Sequence, residues 1–266
     1  MELDGLLLSD IHSGSVVSPA LPKARTDLEG GTIGLNNFQK RILLPLWKEM
    51  CEQEYDFAVV NGDLVDGLNN KSKGTGLWTY DLNLQAENAA NLLNLLKIKP
   101  GGKIYIVGGS QYHIGSNPGI DQLVALKLNE MNRDVVAEYC GQEFILDACK
   151  QKIHFSHWMS NAMYEGQALT KEIMFSYVNG VEIDGMIRGH RHHYWLDTDG
   201  ERFAAMLPAW KGRDEYVKTY GMKYTKTQIG WVDLKLKDRE WDMKPHLTRL
   251  KNEIKIKKIT GKSETF

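Results

Sequence analysis

Thiols are scarce in this sequence. Cys51, Cys140 and Cys149 are the only cysteines among 266 residues, and none belongs to a Cys-x-x-Cys pair. A disulfide framework and a thiolate zinc site are therefore excluded, and a reducing compartment is expected. The His-x-Glu and Pro-Cys-x-x-Cys elements of zinc-dependent nucleobase deaminases are missing too. No apolar run approaches the ~18 residues of a membrane span. The opening "MELDGLLLSDIHSG" places Glu2 and Asp4 before too short an apolar run for a secretory signal. These absences predict a cytoplasmic protein with no membrane association. Charge of one sign is also lacking: the formal net charge is -1. A nucleic-acid partner would therefore have to use a local patch rather than a whole-molecule field.

The composition present suits one well-buried core, since 42% of residues are hydrophobic and 25% charged. Short apolar runs alternate with helical stretches, the pattern of an α/β or layered α+β domain. The runs at 6–8, 57–60, 103–107, 152–155 and 185–187 read as buried strands. Helices are predicted over 36–54, with a break near Pro45, and over 81–97, 120–132 and 165–178. Beyond residue 193 the pattern becomes antiparallel, with hairpins turning at Asp199-Gly200 and near Asp238. No linker divides the chain. One domain is expected over 1–243, followed by a basic tail over 244–266.

The loops at the ends of these strand runs carry the chemistry. "SDIH" supplies Asp10 and His12, "NGDLVDG" supplies Asp63 and Asp66, and "GGSQYH" supplies His113. "SHW" supplies His157, and "RGHRHH" supplies His190, His192 and His193. Ligands of α/β sheets bind outside the carboxyl ends of strands, so these loops share the edge where a site would form. Imidazoles mixed with carboxylates, without thiolate, suit Mn, Fe, Zn or Co better than Mg or Ca. The donors outnumber the needs of one tetrahedral ion, which argues for two metals.

Asp-x-His, Gly-Asp-x-x-Asp, a glycine-led loop ending in His, a lone His and Gly-His-x-His, in that order over 10–192, resemble the calcineurin-like metallophosphoesterase superfamily. The resemblance implies a layered α/β/β/α sandwich of mixed sheets flanked by helices. It implies that Asp10, His12 and His192 hold one metal. Asp63 would bridge to a second, which His157 and His190 also hold. Two divalent ions, Mn²⁺ first and Zn²⁺, Fe or Co²⁺ otherwise, would activate a bridging hydroxide against phosphorus. His113 would act beyond the metals, on the phosphoryl oxygens or the leaving oxygen. The implied substrate is a phosphate ester: a phosphodiester such as nucleic acid or a nucleotide, or alternatively a phosphomonoester. A non-catalytic metal-binding module is the remaining alternative. Oligomeric state does not follow.

The third loop departs from the family, whose usual Gly-Asn-His supplies an Asn ligand. Either Ser110 takes the Asn position or the Gln111 carboxamide replaces it. Asp66 is expected to shape the loop rather than to bind metal. His154 reads as a hydrogen-bonded core residue, His193 as a neighbour of the site, and His246 as inert in the tail. Arg188 and Arg191 read equally well as phosphate-binding groups or as salt-bridge partners. Residues 13–35 and 67–80 are long loops that would cover the site, with Trp78 and Tyr80 as core or base-stacking aromatics. "YVKTYGMKYTKT" (216–227) fits an amphipathic strand pair better than a single-strand groove. The basic tail reads first as a frayed solvated end and second as a contact for a nucleic-acid phosphate backbone.

Overall fold

The computed structural model describes residues 1–69, 73–114, 119–131, 134–158, 165–214 and 227–250. Two mixed sheets carry the architecture. The first has the order β11-β10-β1-β2-β3-β4, and the second β5-β6-β7-β9-β8. Here β1 is Glu2–Leu8, β2 Glu54–Asn61, β3 Lys97–Val107, β4 Val136–Tyr139, β5 Glu143–Ala148 and β6 Gln151–Ser156. The rest are β7 Gly185–Arg188, β8 Trp195–Thr198, β9 Phe203–Met206, β10 Gln228–Lys237 and β11 Glu240–Arg249.

Strand alternation builds the layers, because neighbouring side chains point to opposite faces. Leu7, Phe57, Val59 and Val107 of the first sheet meet Ile153, Phe155, Ile187, Phe203 and Ala205 of the second in one core. Leu6, Leu8, Ala58, Val60, Ile104 and Ile106 point the other way. They pack beneath the helices α1 (Leu44–Met50), α2 (Leu82–Leu93) and α4 (Gly119–Met131). On the far side, Met186, Ala204 and Met206 pack against Ile173 of α5 (Glu165–Val178). The order is helix, sheet, sheet, helix, the α/β/β/α sandwich expected from the sequence. No helix of the described residues is long and apolar enough to cross a membrane.

Several expectations are refined. The helix predicted over 36–54 includes a π-helical turn, Gln39–Leu43, that runs directly into α1, with Pro45 just after the change from π to α geometry. The strands β4 and β5 give little periodic signal: β4 is four residues long and β5 alternates between exposed and half-buried positions. The tail does not begin at 244. Lys244–Arg249 continue β11, where His246 donates to Asp233 at 2.7 Å and stacks on Trp231. Residues 251–266 lie outside the described residues, as do 216–226 of the aromatic and basic segment.

The loop after β9 is anchored by Trp210. It is fully buried, lies edge-on to Trp47 with ring centres 4.6 Å apart, and stacks over Trp231 at 6.1 Å. Its backbone N–H donates to the Asp10 carbonyl at 3.0 Å, tying this loop to the one after β1. Trp210→Ala is expected to destabilise the metal-free protein by about 3–5 kcal/mol, a core-cavity loss, read from the urea unfolding midpoint.

Candidate metal centre

The strands β1, β2 and β3 of one sheet and β6, β7 and β9 of the other end on a common edge. Backbone hydrogen bonds stitch their loops together. Asp10 N–H donates to the Gly62 carbonyl at 3.1 Å, His12 N–H to Asp63 at 2.9 Å, and Asp66 N–H to Ser13 at 2.8 Å. Five residues here adopt left-handed backbone: Asp10 (φ 54°), His12 (φ 51°), Asp63 (φ 49°), His190 (φ 71°) and His192 (φ 57°). Such conformations are uncommon outside glycine, and they cluster where the surrounding structure holds a site in place. Small residues supply the room. A Cβ on Gly62 would lie 2.4 Å from the His157 ring, and one on Gly109 would lie 2.4 Å from the Asp63 backbone nitrogen.

Asp10 is held by one oxygen and offers the other, whereas Ser110 touches both oxygens of Asp63. Asp10 Oδ2 accepts from Ser9 Oγ at 2.5 Å and from His190 N–H at 3.0 Å. Asp10 Oδ1 is buried with no hydrogen-bond partner, 3.1 Å from His192 Nε2 and 3.5 Å from His12 Nε2. Asp63 Oδ1 accepts from Ser110 N–H at 2.6 Å. Asp63 Oδ2 faces His157 Nε2 at 3.0 Å, His113 Nε2 at 3.7 Å and His12 Nε2 at 3.8 Å.

The histidines are turned the same way. A carbonyl only accepts, so the 2.7 Å contact of His157 Nδ1 with the Asn61 carbonyl places a proton on Nδ1. His157 Nε2 then points inward and, though close to Asp63, is not in line for a hydrogen bond. His12 and His192 bring their Nε2 atoms within 3.3 Å of each other. Donor atoms of Asp10, His12 and His192 all lie within 4.8 Å of one another, as do those of Asp63, His157 and His190. Buried polar atoms left unpaired and converging, with nitrogen and oxygen donors only, fit divalent transition metals.

The electrostatics respond to that crowding. Burial pushes Asp10 and Asp63 up, but the neighbouring histidines outweigh it and hold both well below the usual carboxylate range. Burial alone would lower His157, yet the charges of Asp63 and Asp10 raise it to about 10. Burial, reinforced by His157, lowers His190 to about 4.

Around this centre the structure sorts the remaining residues. Ser110 is buried against Asp63, its Oγ 3.3 Å from Asp63 Oδ2, whereas Gln111 is exposed on the short helix α3 (Gln111–Ile114). Of the two candidates in this loop, Ser110 is the one that reaches Asp63. Asp66 carries no inward-facing atom of the two triads. It lies beside His12 Nδ1 at 3.1 Å and accepts from Lys211 Nζ at 2.7 Å. His113 Nδ1 donates to the Asp66 carbonyl at 2.8 Å.

Arg188 turns away from the site, giving its Nε to Glu172 at 2.8 Å and an NH₂ to His154 Nδ1 at 3.0 Å. His154 also faces Glu143 at 3.1 Å, so it belongs to this charged cluster. His193 is buried and donates to the Arg191 carbonyl at 2.9 Å, outside both triads. In the covering loops Trp78 is partly buried, its backbone N–H donating to the Gly14 carbonyl at 2.8 Å, whereas Tyr80 is largely exposed.

Sequence reasoning missed Lys211 and Asp121. Asp121 is fully buried, accepts from Gly109 N–H at 2.9 Å, and is pushed up to about 7 by burial. Lys211 lies in the loop after β9, and its place directly after the uncharged stretch "FAAMLPAW" is the one local signal it carries.

No family model matches the sequence, and no curated protein matches it. Among solved structures, the chain is similar to Vps29 of Entamoeba histolytica complexed with Zn²⁺, at TM-score 0.46 and 12% identity, covering 92% of this chain and 98% of that one. It is also similar to an archaeal phosphodiesterase, at TM-score 0.46 and 10% identity, covering 91% and 99%. Vps29 of Chaetomium thermophilum gives TM-score 0.47 and 9% identity, covering 92% and 98%. These are likenesses of overall chain path.

The His157 shift would make any metal binding here a proton-linked event. A raised histidine stabilises the metal-free fold fully below its unfolded value near 6.5, and that stability is lost as pH rises toward 10. The lowered Asp10 and Asp63 contribute above about 3.8 and lose their contribution as pH falls. At pH 7 an incoming ion must displace the second His157 proton. Calorimetric Mn²⁺ titration in two buffers of different ionisation heat should show release of about one proton from this residue, with apparent affinity rising with pH. Equal heats in the two buffers would place His157 outside the binding event.

Proposed function

We propose that this protein is a dinuclear metal-dependent phosphoesterase that hydrolyses a phosphodiester. One observation carries the reading: two Asp/His triads abut at the strand ends, with Asp63 Oδ2 within 3.8 Å of imidazole nitrogens from both. Asp10, His12 and His192 would hold one ion, and His157 and His190 the other, with Asp63 between them. When bound, two divalent ions supply Lewis acidity at the phosphoryl group and a water of lowered pKa. Mn²⁺ is the ion the donor set favours first.

The protein's own groups supply orientation and proton handling. Burial lowers His113 to about 4, so the ring rests neutral at pH 7. With its Nδ1 proton committed to the Asp66 carbonyl, Nε2 presents a lone pair toward Asp63. His113 therefore has to take up a proton at Nε2 before it can give one to a leaving oxygen. That is a proton carrier's role rather than a resting acid's. A diester is the class proposed first: Arg188 and Lys211 are committed to carboxylates, so the second charge of a monoester would have to be met by other groups such as Arg191. Nucleic acid or a nucleotide is the diester class kept for test.

The Mn²⁺-loaded protein is to be assayed on a bis-nitrophenyl diester, a nitrophenyl monoester and single-stranded DNA. Diester turnover is expected to exceed monoester turnover, with Asp63→Asn lowering it by orders of magnitude. Turnover insensitive to Asp63→Asn would sink the reading, and monoester preference would move it to the alternative. His113→Ala should keep its bound metal and lose about 10²–10⁴ in kcat on a poor leaving group, with a smaller deficit for nitrophenolate. Loss of metal in that variant would make His113 a ligand instead.

A further inference from the structure

A third group of donors stands behind the two triads: a ring nitrogen of His12, a ring nitrogen of His113 and a carboxylate oxygen of Asp66, all within 4.8 Å of one another. By donor type this group also suits a metal. It differs in already holding a cation. Lys211 Nζ lies 2.7 Å from Asp66 Oδ1 and 3.1 Å from Asp214 Oδ2, and the lysine is almost wholly buried, with 5% of its surface exposed. A buried ammonium is stable only when paired and hydrogen-bonded, and here two carboxylates satisfy it.

Asp66 touches both histidines, and its Oδ1 also lies 3.6 Å from His113 Nδ1. Its carboxylate oxygen lies 3.1 Å from His12 Nδ1, and its carbonyl accepts from His113 Nδ1 at 2.8 Å. A negative oxygen beside Nδ1 favours the proton on that nitrogen and leaves the lone pair on Nε2. The His12 contact is not in line for a hydrogen bond, so its effect is electrostatic and depends on where the carboxylate is held. The lysine holds the carboxylate there.

We infer that Lys211 is a positioning residue for the metal centre: its ammonium occupies the third cation position and aims the Asp66 carboxylate, so that His12 presents Nε2 to the metals. This rests on the proposed metal centre. Lys211 touches neither substrate nor metal, and its effect passes entirely through Asp66. Two consequences separate it from a lysine that merely fills space. The third donor group takes no ion while Lys211 is present. Removing Lys211 weakens metal binding only as far as removing the Asp66 charge does.

The test is a double-mutant cycle on Mn²⁺ affinity, using Lys211→Met, Asp66→Asn and the double variant. Mn²⁺ is titrated calorimetrically into the full chain stripped of metal, and thermal unfolding confirms that each variant is folded. Each single variant is expected to bind Mn²⁺ about 10–100-fold more weakly than the unaltered protein. The double variant should be no more than about twofold weaker than the weaker single one, as for residues acting through one another. Unchanged affinity in Lys211→Met, or losses that multiply in the double variant, would overturn the inference. Lys211→Met leaves Asp66 buried without its cation, and where it does not fold, the double variant decides. In that case affinity within about twofold of Asp66→Asn supports action through Asp66, and a further tenfold loss overturns it. If the unaltered protein binds no Mn²⁺ at all, the proposed metal centre itself fails, an outcome distinct from every result of the cycle.

Discussion

Two buried aspartates, each held by its loop with an oxygen turned toward the histidines, set the terms for everything around them. Asp10 is fixed by Ser9 and the His190 amide, and Asp63 by the Ser110 amide and hydroxyl, so that Asp10 Oδ1 and Asp63 Oδ2 face the same group of histidines. Concentrated negative charge of this kind needs compensation. Without ions, protonated His157 supplies part of it. With ions bound, the compensation would come from the metals, and the histidine would revert to a neutral donor. The same six groups would then take two charge states on one backbone.

Much of this was legible in the sequence because period-two strands and the residues just beyond them are local signals. The runs ending at Leu8, Val60, Val107, Phe155 and Ile187 lie in strands, and the residues after them meet at one edge, Asp10, His12, Asp63, His157, His190 and His192 among them. The features that were not legible depended on direction and burial. From its position Arg188 reads equally well as a phosphate-binding group or a salt-bridge partner; only the direction of its side chain, which lies behind the sheet with Glu172, decides for the salt bridge. His246 reads as part of a tail because β11 alternates polar residues with few apolar ones; only its pairing with β10 reveals the Asp233 contact. Lys211 sits in a loop rich in small and aromatic residues, with no acidic or histidine neighbour to flag it before Asp214.

The tryptophans explain how a loop without regular structure holds a buried lysine in register. Trp210 is locked between Trp47 and Trp231, and its own amide is bonded to the Asp10 carbonyl. The next residue along is Lys211. Core packing thus fixes a charged group to within the tolerance that an ion pair at 2.7 Å demands. Hydrophobic burial, usually discussed for stability, here sets the placement of a charge.

The origin of the donors has a mechanical side. Asp10, His12 and Asp63 extend from the first sheet, and His157, His190 and His192 from the second. Each triad draws on both: two donors from one sheet and one from the other, reversed between the pair. An ion in either triad would be a clasp across the sandwich, resisting the sheets' separation at the edge where only loops join them. Free energy of binding would then appear as resistance to opening, growing with ion concentration relative to its dissociation constant. Occupancy would decide whether the two halves of the core breathe separately or as one body, slowing amide exchange along both sheets together.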